Sequence, residues 1–149
     1  MRRPQALQRW FQCIAALMVS LVSCLPLPIA NPTADAKSAP HVDWSKPKVM
    51  RVLMVDNRFI PDHLTFHHGV TYRLHLENHG KDLHEFTAPQ FFAEAVMRDP
   101  SNLANGGQEI VVQPGARADV DLVPQRPGHY DLRCADHDWD GMVGSIDVQ

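Results

Sequence analysis

Short runs in which apolar and polar residues alternate, each closed by a turn-forming residue, constrain this chain more than any other feature. Val70, Tyr72, Leu74 and Leu76 point one way, while Thr71, Arg73, His75 and Glu77 point the other. Ala118, Val120 and Leu122, set against Asp119 and Asp121, repeat the pattern. Leu64 to Phe66 ends near Gly69, Glu109 to Gln113 ends at Pro114-Gly115, and Pro127-Gly128 leads into His129 to Cys134. Val143 to Val148 forms a last run, and His84 to Thr87 opens another extended segment. Val49 to Val55 is apolar on both sides and is expected to be largely buried on both faces. Eight such strands predict an all-β chain, a two-sheet Greek-key β-sandwich. The twelve prolines and eight glycines agree with many short elements joined by turns.

One stretch breaks the alternation. Between Gln90 and Asn105, Phe91, Phe92, Ala95 and Val96 suit one short helical insertion, with both phenylalanines in its core. Asp99-Pro100 is expected to cap a second turn that ends at Gly106-Gly107.

The first 36 residues read as an address. Met1, Arg2, Arg3 and Arg9 give a basic start, and Cys13 to Leu25 form an apolar run. Pro26 and Pro28 end that run short of the ~18 residues a membrane-spanning helix needs. Ala34-Asp35-Ala36 offers small residues where a signal peptidase reads, which predicts a signal peptide over 1–36 and cleavage before Lys37. A competing reading takes Leu21-Val22-Ser23-Cys24 as a bacterial lipobox, with Cys24 lipidated and the domain anchored to a membrane. Residues 37–48 are proline-bearing and aperiodic, a flexible linker, and the domain proper is expected over 49–149.

Cleavage changes two counts. Loss of Arg2, Arg3, Arg9 and Asp35 takes the 14 basic and 17 acidic residues to 11 and 16, a net charge of −5. Such a chain is not expected to bind nucleic acid. Cys13 and Cys24 leave too, so Cys134 stands alone. In an oxidising compartment a lone cysteine is a reactive thiol, an intermolecular link or a ligand.

The setting of Cys134 favours the ligand. In Cys134-Ala135-Asp136-His137-Asp138-Trp139-Asp140-Gly141-Met142, a loop between two predicted strands carries a thiolate, an imidazole and a thioether. Thiolate and thioether are soft donors that suit Cu(I), and imidazole binds both copper oxidation states. A Cys-plus-two-His plane with a weak axial Met is a blue-copper arrangement, and the loop lacks only one histidine. His84, opening a strand after the turn at Asn78 to Asp82, is the best candidate. His63, His67, His68, His75 and His79 are expected on solvated strand faces and turns. Trp139 either folds against the end of the sandwich or stands exposed beside His137 as part of a docking patch. Asp136, Asp138 and Asp140 either solvate the loop or steer a basic partner.

With these residues in place, the chain resembles the cupredoxin family, particularly its plastocyanin and pseudoazurin branch. The resemblance lies in the C-x-x-H-x-x-x-x-M spacing followed by Val143-Gly144, and in Phe59-Ile60-Pro61, Gly69, Asn78 and His84-Glu85-Phe86. It covers roughly 49–148. It implies a cupredoxin-like sandwich holding one type 1 copper per chain, with Cys134 as the strong thiolate, His84 and His137 equatorial and Met142 the long axial ligand. It further implies an exported or periplasmic monomeric electron carrier, not an enzyme, that exchanges single electrons with c-type cytochromes or a copper or haem oxidoreductase. A protein that stores or delivers copper would use the same donors. The chain departs from the branch at Asp136, where many relatives have Pro, and at Glu85, where plastocyanins have Asn.

Overall fold

The alternation around Leu74 produces β4 (Tyr72–Asn78), with Tyr72, Leu74 and Leu76 buried in a core shared by two five-stranded sheets. The computed structural model describes residues 42–149. The expected signal peptide and the lipobox at Cys24 lie outside the described residues, as does the linker up to residue 41. No helix among the described residues is long and apolar enough to cross a membrane.

The first sheet runs in the order β2 (Arg58–Ile60), β1 (Lys48–Val55), β4, β8 (Arg117–Pro124), β6 (Ala95–Met97). The second runs β3 (His63–Phe66), β10 (Val143–Val148), β9 (Gly128–Arg133), β5 (His84–Thr87), β7 (Glu109–Val112). Pairing is antiparallel except for β1 with β4 and β3 with β10. The sheets close over an aromatic cluster. Phe66 meets Tyr72 edge-on at 4.8 Å and Phe91 at 5.2 Å, and Phe91 reaches Tyr130 at 5.8 Å. The Tyr130 hydroxyl donates to the Arg126 carbonyl at 2.8 Å, tying the turn before β9 to the core.

Among the described residues, ten strands form where eight were expected. The two additions have three residues each, too few for alternation to register. β2 follows the turn at Asp56-Asn57, where Asn57 takes a φ of 66°, and buries Phe59. β6 replaces the second half of the expected helix. The helix, α1 (Pro89–Ala93), buries Phe91 and Phe92 as expected, but Ala95 and Val96 pair with Pro124 and Val123 of β8. The backbone of Gln125 takes the Glu94 carbonyl at 2.9 Å, so sheet bonds win over a further helical turn. Asp99 does cap a single 3₁₀ turn (Pro100–Asn102), accepting from the Ser101 amide at 3.0 Å.

β1 also differs from expectation. Only Val52 and Met54 are fully buried; Val49 is exposed, and Leu53 and Val55 are half-covered. This sheet turns one face to the core and one to solvent, so apolar residues on the second face gain no packing partner.

Candidate metal centre

The ends of β5 and β9 set the site. Thr87 of β5 pairs with Arg133 of β9, so the two strands are neighbours and the residues at their ends converge. His84, the first residue of β5, is fully buried. Cys134 follows β9 and is fully buried as well. The loop then turns back: Met142 donates its backbone N–H to the His137 carbonyl at 3.1 Å and accepts from the Cys134 N–H at 3.0 Å. His137 precedes a 3₁₀ turn (Asp138–Asp140) and is half-buried, while the Met142 side chain is fully buried.

His84, Cys134 and His137 each offer one donor atom within 4.8 Å of the others. Nδ1 of His137 lies 3.3 Å from Cys134 Sγ and Nδ1 of His84 lies 3.8 Å from it. The two imidazole rings meet edge-on at 4.9 Å. Thus these three expected residues come together, and backbone hydrogen bonds tie Met142 to Cys134 and His137.

The site's polar surroundings are sparse. The Glu85 N–H donates to Cys134 Sγ at 3.4 Å, and the thiol donates to Glu85 Oε2 at 2.9 Å. Burial first, and the Glu85 carboxylate second, push the Cys134 thiol up to about 11. Burial also lowers the His84 pKa, as does the neighbouring His137. Among the described residues, Nε2 of His84 is the one buried side-chain nitrogen or oxygen without a hydrogen-bond partner. A neutral, buried histidine and a sulfur together make a donor set for a soft or borderline metal, and copper fits it. Hard cations that prefer oxygen do not.

The remaining histidines have varied settings. His63, His67, His68 and His79 are exposed. His75 departs from expectation: it is largely covered, with Nδ1 2.6 Å from Asp119 and Nε2 3.0 Å from Glu77. Glu77 also pairs with His79, Arg51 and Arg117. The His79 contact, helped by His75 and the two arginines and opposed by burial, holds its carboxyl down at about 2. Trp139 stands 79 % exposed as a large apolar surface residue, its indole N–H donating to the Asp136 carbonyl at 2.8 Å. Sequence reasoning did not single out Asp56 or Gly80, which sit at the outer edge of His84. No metal-ligand spacing marks them.

The profile of the cupredoxin-like domain matches residues 14–148. This chain belongs to the cupredoxin-like family. Among solved structures, the cupredoxin-like chain is similar to auracyanin from the photosynthetic bacterium Roseiflexus castenholzii. There the TM-score is 0.53 at 16% identity, over 68% of this chain and 97% of the other. Auracyanin B gives 0.54 at 16% identity, over 72% and 93%. The McoA multicopper oxidase of Aquifex aeolicus gives 0.53 at 14% identity, but the match takes in only 31% of that chain against 73% of this one. At these identities the likeness is one of fold. A comparison with curated protein sequences finds no match.

Proposed function

We propose that this cupredoxin-like chain is an exported type 1 copper protein that shuttles single electrons between redox partners. The observation that carries the reading is the convergence of His84, Cys134 and His137 at the mouth of one hairpin. One copper per chain would be held by Nδ1 of His84, Sγ of Cys134, Nδ1 of His137 and, more weakly, Met142. Copper supplies a centre that gains and loses one electron without breaking a covalent bond.

The chain's own residues set the conditions. His84, Cys134 and Met142 are fully buried, so water does not reach these three side chains. Cys134 gives up its thiol proton on metal binding, as any thiolate ligand must. Donors on two paired strands and a loop closed by two backbone hydrogen bonds are pre-organised, so little rearrangement accompanies a change of charge. Four protein donors leave no open position for substrate, which supports a carrier and not an enzyme. His137 is the donor nearest solvent, and Trp139 beside it offers apolar contact. A c-type cytochrome, or a copper or haem oxidoreductase, fits as partner to a monomer with acidic Asp136, Asp138 and Asp140 around that tryptophan. Export follows from the basic, apolar leader of 1–36, with a lipid anchor at Cys24 as the alternative.

Repeated reduction and reoxidation of copper-loaded protein, in the presence of a copper-free acceptor, tests the assignment. A carrier keeps its single copper through the cycles. Transfer of the metal to the acceptor would assign the protein to copper delivery instead.

A further inference from the structure

His84 has two ring nitrogens with different surroundings. Nδ1 faces Cys134 Sγ, while Nε2 points the opposite way and is buried without a hydrogen-bond partner. If Nδ1 gives its lone pair to a metal, Nε2 must carry the proton. A buried N–H left unpaired is destabilising, because it has lost its water without gaining an acceptor. A partner is close at hand. Asp56 Oδ1 lies 3.7 Å away, on the turn between β1 and β2.

Three features hold that carboxylate in place. The Lys81 N–H donates to Asp56 Oδ1 at 2.9 Å. Asn78 fixes the loop that carries Lys81: its amide donates to the carbonyls of Asp82 and Val112, and its oxygen accepts from the Gly80 N–H at 2.8 Å. Gly80 keeps the gap open, because a Cβ there would lie 2.7 Å from His84 Nε2 and collide with Asp56 Oδ1. The same turn reaches the second ligand segment, since Asn57 donates to the Asp140 carboxylate. One two-residue turn therefore touches both segments that bear metal donors.

We infer that Asp56 is the positioning residue for His84: its carboxylate accepts a hydrogen bond from the Nε2–H, fixes the Nδ1-donor tautomer and makes the imidazole a stronger donor. Movement of the half-exposed Asp56 side chain by roughly 0.8 Å brings the pair to ordinary hydrogen-bond length. Carboxylates behind ligating histidines act in this way, and their loss lowers metal affinity about 10–100-fold. A stronger donor favours Cu(II) over Cu(I), so Asp56 holds the reduction potential down. The inference rests on the copper reading above for its redox part only.

The test uses the full mature chain as wild type, Asp56→Ala, Asp56→Asn and, as a control for a nearby acidic charge on the loop between β4 and β5, Asp82→Asn. Nitrogen-15 NMR of the metal-free protein reads the His84 tautomer and the exchange rate of its Nε2 proton. Copper titration reads affinity for Cu(I) and Cu(II). Asp56→Ala should speed that exchange at least tenfold and weaken Cu(II) binding about 10–100-fold. Asp56→Asn, which keeps an acceptor, should restore slow exchange but shift preference toward Cu(I) by up to about tenfold, or 59 mV. Asp82→Asn, which removes a nearby charge but no contact with Nε2, should keep the wild-type exchange rate. Asp56→Ala with wild-type exchange and wild-type copper affinity overturns the inference. Wild-type protein that binds no copper overturns the copper reading instead, and the exchange rates alone then decide the Asp56 contact.

Discussion

Glu85 Oε2 lies 2.9 Å from Cys134 Sγ, and the same oxygen accepts from the Asp136 N–H at 3.4 Å. A single buried carboxylate thus braces the thiol and the first turn of the loop that follows it. This glutamate is one of the two departures visible in the sequence, and the other, Asp136, is its contact.

The Glu85 contact predicts how the metal-free thiol titrates. Burial and Glu85 raise the Cys134 pKa from its ordinary 9.0 to about 11. The neutral thiol therefore contributes stability that is full below pH 9.0 and is lost as pH rises through about 11. Glu85→Gln removes the charge and should move the midpoint down toward 9.0, while burial keeps it from reaching that value. Ultraviolet thiolate absorbance across an alkaline titration measures it. An unchanged midpoint in the variant would show that burial alone sets the thiol.

Much of this was legible in the sequence because burial in a sandwich writes itself at period two. β4 and β8 bury Tyr72, Leu74, Leu76, Val120 and Leu122 as their alternation named, and the hairpin loop placed Cys134, His137 and Met142 together by spacing alone. His84 was found by its position before a strand. Three-residue strands such as β6 were not legible, since their pairing is decided by β8 and not by their own pattern. The outer edge of the site was also hidden. Asp56 and Gly80 are 28 and 4 residues from His84 in the chain, and only the parallel pairing of β1 with β4 brings the first of them near.

Met142 and His84 should differ in what they hold. Met142 is fully buried and, as the proposed axial ligand, would be a weak donor, so Met142→Leu keeps volume, costs less than about 1.5 kcal/mol of stability, and should retain copper at a raised potential. His84→Ala removes a strong donor and opens a cavity, and should lower copper affinity far more. Isothermal titration and voltammetry separate the two. Equal copper loss in both variants would contradict the ranking.

Docking should centre on the His137 end. Trp139 is exposed there, with Asp136 and Asp140 exposed and Asp138 partly engaged by Arg133 at 3.2 Å. Trp139→Ala should slow electron exchange with a c-type cytochrome at every ionic strength. Neutralising the three aspartates should slow it mainly at low salt, because the Debye length falls to ~8 Å near physiological ionic strength. Stopped-flow rates over a salt series give both dependences. Wild-type rates in both variants throughout would remove this surface as the docking site.

The most direct measurement is a copper titration of the purified protein, read by optical absorption and electron paramagnetic resonance, with Cys134→Ala alongside. One copper per chain is expected, with an intense thiolate-to-Cu(II) charge-transfer band that is lost in Cys134→Ala. A band that survives in the variant, or wild-type protein that takes up copper without one, would contradict the assignment of Cys134 with His84 and His137 as the metal centre.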